Sequence, residues 1–279
     1  MKHNQAAFYK DIRYVQIAFM GVLFSYGVLV FDLSLLWTQV VLTFAAGLLT
    51  QFFWKKKLYR SGIEKKGNLS RGHFLSAFIT CLSLVLLLRS DNLWIHPLAS
   101  FIAISSKFCI QYNKQHFFNP SAFGIFVVLL LGEAWLSPGQ WGSHISLSIW
   151  MVAVGCFIVT KVHRMDISWF FLLFYLGGLL IRDLYLGYEM AVFYHAALSG
   201  SLLLFAFFMI SDPRTSPNHL VGKAIFTFFV AFTSLVLHYY FYIQNGLIYS
   251  LVAGSCFVPL LNKKFQARPF QWNKKESGF

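Results

Sequence analysis

The chain alternates long apolar runs with short polar connections. Ten runs stand out, at about 14–31, 34–54, 73–89, 93–106, 118–135, 145–161, 167–181, 191–210, 222–240 and 246–261. They are apolar throughout rather than on one face, which suits helices whose solvent is lipid. A hydrocarbon core of about 30 Å needs about 20 helical residues, with about 17 near the lower limit. The runs at 93–106 and 167–181 are the weakest, and the first of these contains His96 and Pro97, as expected of a broken or tilted helix. The pattern predicts an all-α integral membrane protein of about ten transmembrane helices, forming a single polytopic membrane domain over residues 1–279. The first run is too long for the core of a secretory signal and has no small-residue cleavage pattern.

Charge sets the expected orientation. With ten crossings, one side receives the 55–72 loop (Lys55, Lys56, Lys57, Arg60, Lys65, Lys66 and Arg71 against Glu64), Lys107, Lys114, Lys161, Arg164 and the basic tail at 264–279. The other side receives Asp32, the Arg89–Asp91 pair, Glu133, Arg182, Asp183 and Glu189. Cationic loops stay in the cytoplasm, so both termini are expected there, with the protein in the inner (cytoplasmic) membrane. The same alternation accounts for the net charge of +13 without a nucleic-acid partner, because the cations form no continuous stripe. Hydrophobic residues make up 57% and charged residues 12%, well below the about 25% of soluble domains. Cys81, Cys109, Cys156 and Cys256 have no metal or cluster spacing and read as free thiols. His96, His195 and His238 show no haem-ligating pairing, and no metal site is expected.

The order of motifs suggests an internal repeat. Ser90-Asp91 precedes Pro97 after the third run, and Ser211-Asp212 precedes Pro213 after the eighth. In a ten-span chain those positions are equivalent and oppositely directed, giving a five-plus-five inverted repeat with halves at 1–135 and 145–263.

Two polar constellations carry the candidate chemistry. The first is Ser105 to Gly124, the connection into the fifth run. Asn119-Pro120 reads as a helix start, with Asn at the cap and Pro in the first turn. A helix N-terminus there presents amides to an anion or an electron-rich ring, with Lys107, Asn113, Lys114 and His116 close in sequence. The second is Ser211-Asp212-Pro213-Arg214-Thr215-Ser216-Pro217-Asn218, a rigid turn that offers Asp212, Arg214, Thr215 and Asn218. Ser137 to His144 and the Gly177-Gly178 pair with Arg182-Asp183 read as a surface turn and a close helix contact.

Together the two constellations resemble the RnfD/NqrB-like family, whose members are membrane subunits of the Rnf electron-transport complex and of the sodium-pumping NADH:quinone oxidoreductase. The resemblance rests on Ser106-Lys107, Tyr112 to Pro120, Phe123-Gly124, Ser211 to Pro217, Gly222 and Val258 to Lys263, over about residues 75–263. It implies a scaffold like that of the urea and ammonium channels, flavin in the membrane part and electron transfer to partner subunits. The family's covalent FMN hangs on a threonine between the fifth and sixth spans. Here Leu136 to His144 contains no threonine, so the expected cofactor is a non-covalent flavin, FMN or riboflavin. It would be held by Lys107, Asn113, His116, Asn119, Asp212, Arg214, Thr215 and Asn218, with no catalytic acid or base assigned.

The leading expectation is a flavin-binding electron-transfer subunit, part of an oxidoreductase, working with redox partner proteins or other membrane subunits in the lipid bilayer. Two other readings are a small-solute channel or transporter and a non-catalytic assembly partner.

Overall fold

The computed structural model of the protein describes residues 11–30, 36–61, 71–113, 115–137, 145–268 and 270. Twelve helices appear among them: α1 (Ile12–Val30), α2 (Trp37–Arg60), α3 (Arg71–Leu87), α4 (Ile95–Cys109), α5 (Pro120–Leu130), α6 (Ile145–Lys161), α7 (Met165–Leu186), α8 (Met190–Ala197), α9 (Gly200–Leu204), α10 (Leu220–Tyr239), α11 (Gly246–Ser255) and α12 (Val258–Lys264). A π-helical turn, Phe205–Met209, continues α9. Four two-residue strands form two small antiparallel pairs. β1 (Leu88–Arg89) pairs with β4 (Trp135–Leu136), and β2 (Gln111–Tyr112) pairs with β3 (Gln115–His116).

The expectation of about ten transmembrane helices does not hold. Among the described residues α1, α7 and α10 are long and apolar enough to cross a membrane, and up to five spans result if each bent pair counts as one. The bent pairs are Met190–Ala197 with Gly200–Met209, at 45°, and Gly246–Ser255 with Val258–Lys264, at 43°. The reasons are local. The fifth apolar run yields only the 11 residues of α5, because Asn119-Pro120 starts it and Gly132, at φ 78°, lies just past its end. Eleven residues rise about 17 Å, against about 30 Å of hydrocarbon. The eighth run breaks at Leu198-Ser199 and the tenth at Cys256-Phe257, ahead of Pro259. The seventh run, weak in sequence, is extended to the 22 residues of α7.

No clear five-plus-five inverted repeat is present among the described residues either. Ser90-Asp91 follows β1, and the Ser90 hydroxyl donates to Glu133 O at 2.6 Å while Asp91 is exposed. Ser211-Asp212 follows a π turn and folds back on its own backbone. The two Ser-Asp pairs therefore end different kinds of element.

The helix α2 is inside out for a protein in water. Its buried positions are Gln39, Thr43, Gly47, Thr50, Gln51 and Lys55, whereas Val41, Leu49, Phe52 and Phe53 are exposed. Exposed apolar side chains on α2, α7 and α10 fit a lipid surround. α2 packs on α3 and α4, α4 on α5, α7 on α10 and α10 on α11, while α1–α6 and α5–α11 contacts join the two groups. Gly124 lets α4 and α5 approach closely: a Cβ there would sit 2.5 Å from Ala99 O and 2.8 Å from Ala103 Cβ. Asp183, expected at the end of a span, is buried inside α7, where Arg182 Nη1 donates to its Oδ1 at 2.8 Å and the Arg182 guanidinium stacks on Tyr239.

Candidate functional site

The two polar constellations meet at one cavity of about 600 Å³. It lies between the C-terminal ends of α2 and α4, the N-terminus of α5, the end of α6 and the turn that follows the π helix. That volume is in the range of small-molecule and cofactor sites. Of the eight residues singled out in the sequence, Lys107, His116, Asn119, Asp212 and Arg214 line it. Asn113 does not: it is exposed at the tip of the β2–β3 hairpin, in the left-handed region at φ 51°. Thr215 and Asn218 belong to the same turn but do not line the cavity.

Asn119 is the N-cap of α5, with Pro120 in the first turn. Its Oδ1 accepts from Ala122 N at 3.2 Å and from the Ser121 hydroxyl at 2.8 Å. Its Nδ2 donates to Met209 O at 3.0 Å. A π turn displaces backbone carbonyls from the helical ladder, and such turns recur at functional sites. Here side chains satisfy them: Asn119 at Met209 O, Ser168 at Ala206 O (2.7 Å) and Ser211 at Phe207 O (2.5 Å). The π turn thereby brings Phe207 and Phe208 to the cavity wall, with Phe208 stacked on Phe19 at 4.8 Å. Phe108, stacked on Trp54, adds a further ring to the lining.

The 211–218 turn is held from two sides. Asp212 Oδ1 accepts from Arg214 N at 3.0 Å, and Asp212 O accepts from Thr215 N and the Ser216 hydroxyl. Arg164, buried at the α6–α7 junction, donates to Pro217 O (2.8 Å), Pro213 O (2.9 Å) and Asn218 Oδ1 (2.8 Å). Asn218 N donates to Asn262 Oδ1 at 3.0 Å, tying the turn to α12. The sequence counted Arg164 only as a charge that orients the protein.

Electrostatics favour an anionic or electron-rich occupant. Among the described residues, Arg13, Lys55, Lys107 and Arg214 line the cavity beside one carboxylate, Asp212. Arg13 is paired with Asp11. Lys107 Nζ donates to Thr80 Oγ1 (2.9 Å), Ser76 Oγ and Ser76 O (3.3 Å each), all neutral oxygens. Burial pushes the Asp212 carboxyl above the usual range, opposed by the Arg214 amide and by the Arg214, Lys107 and Arg164 charges. Burial, then repulsion from Lys107 and Arg214, holds His116 down to about 3. Its imidazole is therefore neutral at physiological pH, with one nitrogen donating and one accepting.

Gln51 and Lys55, on the buried face of α2, also line the cavity and were missed in the sequence. The signal was present as a four-residue period, Gln39, Thr43, Gly47, Gln51 and Lys55, inside a run read only as apolar. Among the described residues no group of three or more His, Cys, Asp or Glu side chains comes together to hold a metal ion.

A comparison with curated proteins gives no match. The family model for the NQR2, RnfD, RnfE family matches residues 126–271. That stretch contains the whole 211–218 turn, Arg164 and the π helix; the Lys107–Pro120 constellation and α2 lie N-terminal to it. The match covers slightly more than half of the 279 residues, so the chain belongs to the NQR2, RnfD, RnfE family of membrane electron-transport subunits.

Proposed function

We propose that this protein is a flavin-binding electron-transfer subunit of a membrane redox complex, with FMN or riboflavin held non-covalently in the cavity. The observation that carries the reading is the convergence of Lys107, His116, Asn119, Asp212 and Arg214 on one cavity that also carries aromatic walls. A flavin asks for a planar apolar slot and for polar groups at its ring edge. Phe108, Phe207 and Phe208 supply apolar surface, and Lys107, Arg214 and neutral His116 supply donors and an acceptor. Asn119 acts one step back, because its oxygen and an amide hydrogen are committed to α5 and to Met209. Gln51 Oε1, buried and without a hydrogen-bond partner among the described residues, is an acceptor that a ring N–H or a ribityl hydroxyl would satisfy. A bound flavin supplies the one- and two-electron chemistry; the residues bind it, orient it and exclude water.

The absence of a threonine from Leu136 to His144 supports non-covalent attachment. Residues 138–144 lie outside the described residues. The cavity opens among the basic ends of α2 and α4, which supports a cytoplasmic-facing site and delivery of electrons from a cytoplasmic partner. The test is the visible spectrum of detergent-purified protein, followed by acid precipitation. Flavin bands with all chromophore in the acid supernatant support the reading. Colour retained in the pellet contradicts non-covalent binding, and colourless protein that takes up neither flavin contradicts the reading itself.

A further inference from the structure

The C-terminal segment is seated by one face and bare on the other. α12 bends 43° away from α11. Val258, Leu261, Asn262 and Phe265 recur at helical spacing, which puts them on one side of α12 and its cap. That side is engaged. Val258 is buried, Leu261 packs on the core, Asn262 Oδ1 accepts from Asn218 N at 3.0 Å, and Phe265 stacks on His219 with ring centres 5.7 Å apart. The opposite side carries Phe257, Leu260, Lys263 and Lys264, all exposed. α12 packs on the start of α10, a membrane span whose Leu220, Val221 and Ile225 are exposed as well. Exposed apolar residues of a span and of the segment therefore lie at one end of the molecule. The charge there has one sign. From Pro213 to Lys275 the chain contains no Asp or Glu, while Lys263, Lys264, Arg268, Lys274 and Lys275 follow α11. Among the described residues Lys263, Lys264 and Arg268 form no ion pair, and Lys264 lies over the Phe265 ring at 5.7 Å.

We infer that α12 and the residues that follow it, to Arg268, form a docking surface for anionic phospholipid headgroups, on the membrane face where the 211–218 turn lies. Phe257 and Leu260 enter the acyl boundary, and the lysine stems reach along it so that their ammonium groups meet lipid phosphates. Charge selects the occupant. A zwitterionic headgroup brings its own cation to each phosphate, whereas an anionic one leaves a net attraction for every lysine near the surface. The apolar pair distinguishes this surface from a merely basic loop, because it holds α12 at the headgroup level while the lysines read the charge. The inference is independent of the flavin reading: it uses no residue that lines the cavity, and it touches the site only through Asn262 and the turn.

The experiment melts the full chain in mixed micelles of neutral detergent and phosphatidylcholine, with phosphatidylglycerol replacing phosphatidylcholine stepwise at constant total lipid. The expected result is a melting temperature that rises with the phosphatidylglycerol fraction and levels off, and a rise that high salt removes. Each lysine is worth about fivefold in the fraction that gives half the rise. The double variant Lys263→Gln with Lys264→Gln therefore loses most of the rise, and Lys263→Arg with Lys264→Arg keeps it. The control is Lys56→Gln with Lys57→Gln, two exposed lysines at the end of α2, which also keeps it. Should the first double variant fail to fold, Lys264→Gln alone is read for its fivefold displacement. No rise in the wild type overturns the docking surface. So does a rise that the Lys263 and Lys264 glutamine variants leave undiminished, or one that the α2 control loses to the same extent.

Discussion

Asn119 reaches across 90 residues to donate its side-chain amide to Met209 O at 3.0 Å. The bond joins the cap of α5 to the π turn that leads into Ser211-Asp212, and so holds the two polar constellations at one cavity. Removing the side chain deletes the cap and leaves a buried carbonyl without a partner. Asn119→Ala is expected to cost about 2–4 kcal/mol, from a lost cap of about 1 and an orphaned carbonyl of about 1–3. Asn119→Asp keeps the cap oxygen but loses the donor, and should cost less. Thermal unfolding in detergent gives the order wild type, Asp, Ala; equal melting of all three would contradict the bridging role.

Arg164 is the clamp of the 211–218 turn. Three acceptors on that turn lose their donor in Arg164→Met, and a lysine in its place cannot span all three. Both variants should loosen the turn. Limited proteolysis with trypsin reads this locally, through cleavage after Arg214. The account predicts faster cleavage there in both variants, with little change at Lys263-Lys264.

Gly124 and Gly21 form a matched pair. A methyl group at Gly124 collides with the backbone oxygen of Ala99, which cannot move aside without shifting α4, whereas at Gly21 nothing lies within 4 Å. Gly124→Ala is expected to cost about 1–3 kcal/mol by forcing α4 and α5 apart. Gly21→Ala should be neutral or stabilising by up to about 1 kcal/mol through its helix propensity. Parallel melting curves of the two variants check this.

His116 provides a pH signature. Burial and the Lys107 and Arg214 charges hold its folded-state pKa down to about 3, against about 6.5 when unfolded. Between those values the unfolded chain takes up a proton that the folded chain refuses, so His116 makes stability fall as pH drops from about 6.5 toward 3. Asp212, with its raised pKa, contributes in the opposite direction, equally in wild type and variant. The wild type should therefore lose more melting temperature than His116→Gln between about pH 7 and about pH 5. Parallel losses would show that His116 is not held neutral.

Some of this was legible in the sequence because it is local. Asn119-Pro120 announces a helix start through capping chemistry, and the structure has that cap. The number of crossings was not legible, because run length counts apolar residues and does not see where a helix stops. Gly132, the Leu198-Ser199 break and Cys256-Phe257 shorten or bend runs that look continuous. The convergence of the two constellations depends on a bond between residues 90 positions apart, which no window detects. Arg164 was hidden for a different reason. An arginine beside an apolar run is expected in the headgroup region, and only the fold shows its guanidinium turned inward onto three oxygens.

The most direct measurement is the ratio of acid-releasable flavin to protein, taken on wild type and on Arg214→Met and Phe207→Ala variants purified alike after growth with ample riboflavin. One site per chain predicts a ratio approaching one in the wild type and a marked fall in both variants. A wild type without flavin, or a ratio that both cavity variants leave unchanged, would contradict the account.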